Sequence, residues 1–268
     1  MKKSYYIPEY IKCTCTFIIV PLIVLNWSLA RLTNNQDVQS HNSHSNLVQE
    51  RNDLSILLNK EKQRLGQLQC YTGVVSGSGG WCKNDSSVDS KEHMTDYKLA
   101  KYLSNFLTGK RVGSFGDGPG LYKKYLDEAK LLRIYDAYDG APFAENVTDG
   151  GVKFLDLSVP QYGLPLYDWI MSLEVAEHIP SKYEEIFLSN LVRHAKTGII
   201  LSWAVPGQGG HFHVNNQPLD YVKRSMKRLG FEHDREASLL LQSNSMLPWI
   251  VENTNIYLRN EPIDMDGL

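Results

Sequence analysis

Val112-Gly113-Ser114-Phe115-Gly116-Asp117-Gly118-Pro119-Gly120 decides the fold. A short apolar run opens into a G-x-G-x-G turn, and a helix-like segment, Leu121 to Leu126, follows it. Glycines alone serve any tight strand-to-helix turn, so the information lies in what comes next. The apolar run Leu131 to Tyr135 leads to Asp136 and Asp139, the latter 19 residues beyond Gly120. At that distance an acid closes the next strand and can accept hydrogen bonds from a ribose. A nicotinamide-type turn would read G-x-G-x-x-G, and here the third glycine comes one residue early.

Three further apolar segments keep the order: Val152 to Asp156, Tyr167 to His178 and Gly198 to Trp203. Helices are expected at Asp96–Leu107, Leu121–Ala129, Ser181–His194 and Pro218–Leu229, with a last strand at Asn255–Leu258. Strands alternating with helices predict a mostly parallel sheet covered on both faces.

Over residues 95 to 258 this order resembles the class I S-adenosylmethionine-dependent methyltransferases, in particular their small type 11-like domain. The resemblance implies an α/β, Rossmann-like, doubly wound sheet, mostly parallel with an antiparallel edge strand. It implies S-adenosyl-L-methionine as cofactor, held by Gly116, Asp117, Gly118, Gly120, Asp139, Asp156 and Glu174. Asp139, with Asp136 as the alternative, matches the ribose acid, and Asp156 the acid near the adenine amino group. One position departs from the pattern: Ser114 stands where an acid is usual, and Asp117 offers a carboxylate from inside the turn. Asp168 reads as a capping carboxylate at a strand edge.

The resemblance places the segment after the fourth strand beside the transferring methyl group. His178 is therefore the candidate general base, with Glu174 and Glu177 near it in sequence. The cluster Trp203 to Gln217 follows the fifth strand at the carboxyl edge, where ligands of α/β sheets bind. It brings His211 and His213 as further catalytic or acceptor-binding candidates, and its glycines suit a lid. The two histidines share a face on an extended segment, but no third ligand lies close by in sequence, so no metal is expected.

The 268 residues are 42% hydrophobic and carry a net charge of −2, enough for a full core and without the basic excess that nucleic acid requires. The amino end differs in character. Residues 13–30 form a mostly apolar stretch of roughly 17–18 residues, the lower limit for a bilayer span. Lys2, Lys3 and Lys12 precede it and only Arg31 follows closely, which predicts a cytosolic tail (1–12), a single-pass type II signal anchor and a lumenal remainder, in Golgi or endoplasmic reticulum. A cleavable signal peptide ending at Ser28-Leu29-Ala30 is the rival. Residues 31–69 read as a stem, polar from Thr33 to Ser45. There follows a heptad of Leu47, Leu54, Leu58, Leu65 and Leu68, interrupted by Arg51 and Glu61, which is either a short dimerising coiled coil or a solvated helix. Residues 70–94 read as a linker bounded by Cys70 and Cys82, which can pair in an oxidising lumen, and residues 95–268 as the catalytic domain. Asn84 and Asn146 open glycosylation sequons.

These readings predict a membrane-anchored methyltransferase acting on oxygen of a secretory-pathway acceptor such as a glycan. The alternatives are a catalytically weak binding module, or a cytosol-facing enzyme for a small molecule or lipid.

Overall fold

A computed structural model describes residues 44–83 and 93–261. The predicted anchor, residues 33–43 of the polar stem and the Asn84 sequon lie outside the described residues, and His44 and Ser45 already belong to a helix. Among the described residues no helix is long and apolar enough to cross a membrane. A boundary between two units at Arg51/Asn52 falls inside the first helix, and all that is said of packing below concerns residues 52–261.

The elements run α1 (44–69), α2 (Tyr97–Phe106), β1 (Arg111–Phe115), α3 (Leu121–Ala129), β2 (Ile134–Asp139), α4 (Ala144–Val147), β3 (Val152–Phe154) and β4 (Tyr167–Ser172). They continue with α5 (Glu184–His194), β5 (Ala195–Leu201), α6 (Leu219–Arg228), β6 (Phe231–Asp234), α7 (Arg235–Ser243), α8 (Pro248–Asn253) and β7 (Asn255–Arg259). Two short 3₁₀ turns, Ala176–His178 and Ser181–Tyr183, lie between β4 and α5.

The seven strands form one sheet in the order β3-β2-β1-β4-β5-β7-β6. β1 to β5 pair in parallel, whereas β7 runs antiparallel between β5 and β6. The chain starts at the centre, winds out to β3, and returns to β4 beside β1. Loops at the carboxyl ends of β1 and β4 therefore diverge around a crevice, the topological switch point at which such sheets bind ligands.

Apolar side chains cover both faces. Leu99, Leu103 and Leu107 in and just after α2, Leu126 of α3, Leu241 of α7 and Ile250 of α8 pack on one side. Phe187, Leu188 and Leu191 of α5 pack on the other with Val222 and Met226 of α6. Leu131, expected to open the second strand, is instead part of the α3–β2 connection. Lys130 there is in the left-handed region (φ 54°) and reverses the chain, and the strand begins at Ile134. Asp96 fastens the first face: one carboxylate oxygen accepts the Leu99 N–H at the start of α2, and the other accepts the N–H groups of Met246 and Leu247 before α8.

Residues 52–69 of α1 lie on the sheet by their polar side. Ser55 donates to the Pro160 carbonyl, Asn59 donates to the Phe154 carbonyl, and Gln63 and Gln67 donate to the Pro142 carbonyl. Leu54, Leu58, Leu65 and Leu68, the heptad positions, remain exposed.

Candidate active site

The glycine turn leaves β1 with Gly116, Gly118 and Gly120 all at positive φ (98°, 62° and 79°). At Gly116 the need is steric as well, because a Cβ there would sit 2.1 Å from Val175 Cγ2 in the segment leaving β4. Gly118 faces open space, with His93 Nδ1 at 3.5 Å its one near neighbour, which is the kind of cradle a Cβ would begin to fill.

Asp139 closes β2 and reaches back to the turn. One oxygen accepts the Gly118 N–H at 2.8 Å and the other the Ala141 N–H at 2.8 Å. Burial raises its pKa, and these two backbone donors oppose the rise. Asp136 points elsewhere, accepting the Tyr167 hydroxyl at 2.9 Å. Asp117 is turned inward. Its Oδ1 accepts the Tyr135 hydroxyl at 2.5 Å and its Oδ2 the Lys123 N–H at 3.2 Å. Burial pushes it up to about 6, against hydrogen bonds from Tyr135 and Ser114. Its carboxylate thus lies next to Ser114, the position where the resemblance leads one to expect an acid. Asp168 sits at the opposite end of the sheet, accepting the Arg111 N–H at 2.8 Å.

Asp156 follows β3 and is buried. Ser158 donates to its Oδ1 through both N–H and hydroxyl, at 2.8 and 2.6 Å, and Lys62 of α1 lies 3.1 Å from its Oδ2. The glycine loop read as a linker is packed into this region. A disulfide joins Cys70 to Cys82, and Val75 bridges to Trp81. A Cβ on Gly80 would meet the Gly140 carbonyl at 2.1 Å, and one on Gly79 the His178 carbonyl at 2.6 Å. The loop therefore spans from the exit of β2 to the exit of β4, across the carboxyl edge.

Beyond β4 the chain makes a strained turn, with Glu174 at φ 55°. The Glu174 carboxylate accepts from Ser202, Gln208 and Asn253, at 2.8, 3.1 and 3.0 Å. The next 3₁₀ turn points Glu177 into the domain, where it is fully buried and neither carboxylate oxygen has a hydrogen-bond partner. Its pKa is raised well above the carboxylate range by burial first and by Glu174 second.

Two of the three predicted histidines come together. His178 and His213 stack edge to face with ring centroids 5.1 Å apart, and His213 Nε2 lies 4.0 Å from Glu177 Oε1. Burial first, then His213, holds the His178 pKa down to about 4, so its imidazole is neutral near pH 7. His211 is exposed with its ring towards Phe212. The extended segment that would have placed both histidines on one face is broken at Phe212, whose φ is 61°. The stretch around His213 is tied down: Val214 and Asn215 donate their N–H groups to the Glu177 carbonyl, and the Trp203 indole donates to the Asn215 carbonyl at 2.5 Å. Gly210 admits the His213 ring, since a Cβ there would be 2.0 Å from Nε2.

No protein-family model matches the chain, and no curated protein matches it. Among solved structures it is similar to the sugar N-methyltransferase KedS8 from Streptoalloteichus sp. ATCC 53650, with 9% identity and a TM-score of 0.50 over 63% of this chain and 90% of that one. It is also similar to magnesium protoporphyrin IX methyltransferase (ChlM) from Synechocystis PCC 6803 with bound SAH, with 18% identity and a TM-score of 0.45 over 61% of this chain and 81% of that one. The fold is the mixed α/β, Rossmann-like methyltransferase fold, with a mostly parallel sheet and an antiparallel strand near one edge.

Proposed function

We propose that the chain is an S-adenosyl-L-methionine-dependent methyltransferase, anchored by residues 13–30, that methylates oxygen of a secretory-pathway acceptor such as a glycan. One observation carries the cofactor: the Asp139 carboxylate closes on the Gly118 N–H of the glycine turn at 2.8 Å, at the switch point of the sheet. Gly116, Gly118 and Gly120 would hold the methionine end. Asp139 would receive the ribose and the Asp156 region the adenine.

The sulfonium supplies a good leaving group, so the protein chiefly aligns the acceptor and excludes water. The disulfide loop covers the edge between Gly140 and His178. The group of Glu174, Glu177, His178 and His213 lies where the resemblance puts the acceptor. His178, neutral and adjoining that edge, would take the acceptor proton or orient the hydroxyl. His211 stands apart from the group and would meet an acceptor only at the rim.

The Cys70–Cys82 pair supports a lumenal, oxidising compartment. The exposed Asn146 supports it too, standing on the surface of α4 at the start of its sequon. The leucines that α1 leaves exposed support a second copy of this chain as partner through the stem.

Lys62 on Asp156 favours a second reading, a domain that keeps the fold but binds cofactor weakly, because an acid already neutralised has less to offer adenine. Calorimetry of the full chain in detergent with S-adenosylmethionine and with its demethylated product separates the two. Saturable one-to-one binding, lost in Gly118→Arg, is the expected result, and absence of binding by the unmutated chain removes the enzyme.

A further inference from the structure

We propose that Glu177, His178 and His213 form a binding site for a divalent first-row transition-metal cation at the acceptor end of the cleft. This deepens, and rests on, the methyltransferase reading above. The three residues can each offer one ligand atom, and those atoms all lie within 4.8 Å of one another.

The cluster is built rather than incidental. Glu177 is completely buried, yet both of its oxygens, together with His213 Nδ1, are buried without a hydrogen-bond partner. A buried carboxylate without partners is costly, and burying a charge is tolerated when it is paired or bound to metal. His213 is the nearest cationic candidate, but at 4.0 Å its Nε2 makes no hydrogen bond to Glu177. A cation between the carboxylate and the two imidazoles satisfies all three groups at once.

The backbone fixes the arrangement from two directions. The 3₁₀ turn Ala176–His178 presents Glu177 and His178 in succession, and the N–H groups of Val214 and Asn215 both donate to the Glu177 carbonyl, at 2.8 and 3.0 Å. The main chain of His213 is thus stitched to that of Glu177. Gly210 lies under the His213 ring and leaves it room.

Two imidazoles and one carboxylate suit zinc, cobalt, iron or manganese better than magnesium or calcium, which take oxygen sets. Metal–ligand bonds of about 2.1 Å put neighbouring ligand atoms roughly 3.3 Å apart, so the cluster needs side-chain rotations that draw it in by on the order of 1 Å. Three protein ligands leave coordination positions open, as in catalytic rather than structural sites. An acceptor offering a hydroxyl or a vicinal pair of oxygens would fill them, which fits a sugar-like acceptor better than a purely apolar one. His178 is then a ligand, with His213, and of the two roles proposed for it above it keeps the orienting of the acceptor hydroxyl and not the taking of its proton.

The test uses the full chain in detergent, stripped with a chelator and dialysed, then titrated with Zn²⁺ by calorimetry and with Co²⁺ by visible absorption. One equivalent should bind, with Mg²⁺ failing to compete. Glu177→Gln, which keeps shape, and His213→Ala, on a separate loop, should each weaken binding by on the order of 100-fold or more. Thermal melts show whether each variant is folded. No saturable binding by the unmutated chain, or undiminished binding by folded Glu177→Gln and His213→Ala, overturns the site. S-adenosylmethionine affinity is measured on the same samples. Cofactor binding without metal binding overturns only the metal site, and metal binding without cofactor binding upholds the metal site while removing the methyltransferase reading.

Discussion

Lys62 Nζ lies 3.1 Å from Asp156 Oδ2, a fully buried carboxylate at the end of β3. The pair joins α1 to the sheet at the place where the resemblance puts adenine. Asn59, one turn earlier, accepts the Asp156 N–H at 2.9 Å, so the contact is backbone as well as charge. Residues 52–69 of the helix are thereby tied to the sheet domain, at the edge proposed above to hold the cofactor.

Removing Lys62 should therefore be felt twice. Lys62→Ala leaves Asp156 with only its Ser158 donors, and because Lys62 is itself partly exposed the expected cost is about 1–3 kcal/mol, below that of a fully buried pair. Denaturant melts of Lys62→Ala and of Lys62→Met with Asp156→Asn check it. The double variant should recover most of the loss, and a full loss in both would show that the helix matters by packing alone.

The cysteine loop should couple redox state to ligand binding. Its disulfide closes a loop between positions 70 and 82, for which chain-entropy arguments give roughly 3 kcal/mol. Cys82→Ser, or reduction of the unmutated chain, should free the Gly73–Trp81 segment from Gly140 and His178. Proteolysis within residues 71–81 should accelerate. Apparent cofactor affinity should fall roughly tenfold or more, in proportion to the fraction of molecules with the cap in place. Unchanged affinity in a visibly nicked loop would make the cap irrelevant to the cofactor.

Much of this was legible in the sequence and some was not. The alternation of strands and helices was legible in the glycine turn and the spacing of apolar runs, because core packing writes a strong periodic signal, whereas β6, α7 and α8 were not. The heptad leucines of α1 mark the side of that helix that stays exposed, and nothing in the sequence marked the side that meets the sheet. Its contacts are made by Ser55, Asn59, Lys62, Gln63 and Gln67, polar residues whose hydrogen bonds leave no hydropathy trace. Likewise the sequence did not show that Glu177 and His178 stand beside His213, since the fold brings the loops after β4 and β5 together and no spacing along the chain records it. The positive φ of Phe212, which separates His211 from His213, has no sequence signature.

Asp117 predicts a pH signature of stability. Its pKa in the folded protein is about 6, against 3.8 for the free side chain, with burial the main cause. A group raised on folding contributes stability that is present below the unfolded value and lost as pH rises through the folded one. Native stability should thus fall between about pH 4 and pH 7 by at most about 3 kcal/mol from this residue. Asp117→Asn should flatten that part of the profile, with its amide oxygen still able to accept the Lys123 N–H. His194, held down to about 4 by burial, acts in the opposite sense, adding stability above its unfolded value that is lost towards acid. It is common to both proteins and cancels in the comparison. Melting profiles of equal slope for wild type and Asp117→Asn would show that Asp117 is already neutral or fully screened.

Gly210 and Gly209 offer an internally controlled test of the acceptor end proposed above. An added Cβ at Gly210 would stand 2.0 Å from His213 Nε2, whereas at Gly209 nothing lies within 4 Å. Neither glycine is at positive φ, so alanine meets no backbone objection at either place. Gly210→Ala must displace the imidazole from its present place beside Glu177, and Gly209→Ala need move nothing. The global fold should survive both, since Val214, Asn215 and Gln217 remain bonded to Glu177 and Ala204. With cofactor saturating, Gly210→Ala should raise the acceptor KM about tenfold or more, as expected when ground-state binding is lost, and should weaken Zn²⁺ binding in parallel. Gly209→Ala should match the wild type in both measurements. Equal effects from the two substitutions would trace the change to loop stiffness, and no effect from Gly210→Ala would take His213 out of acceptor recognition.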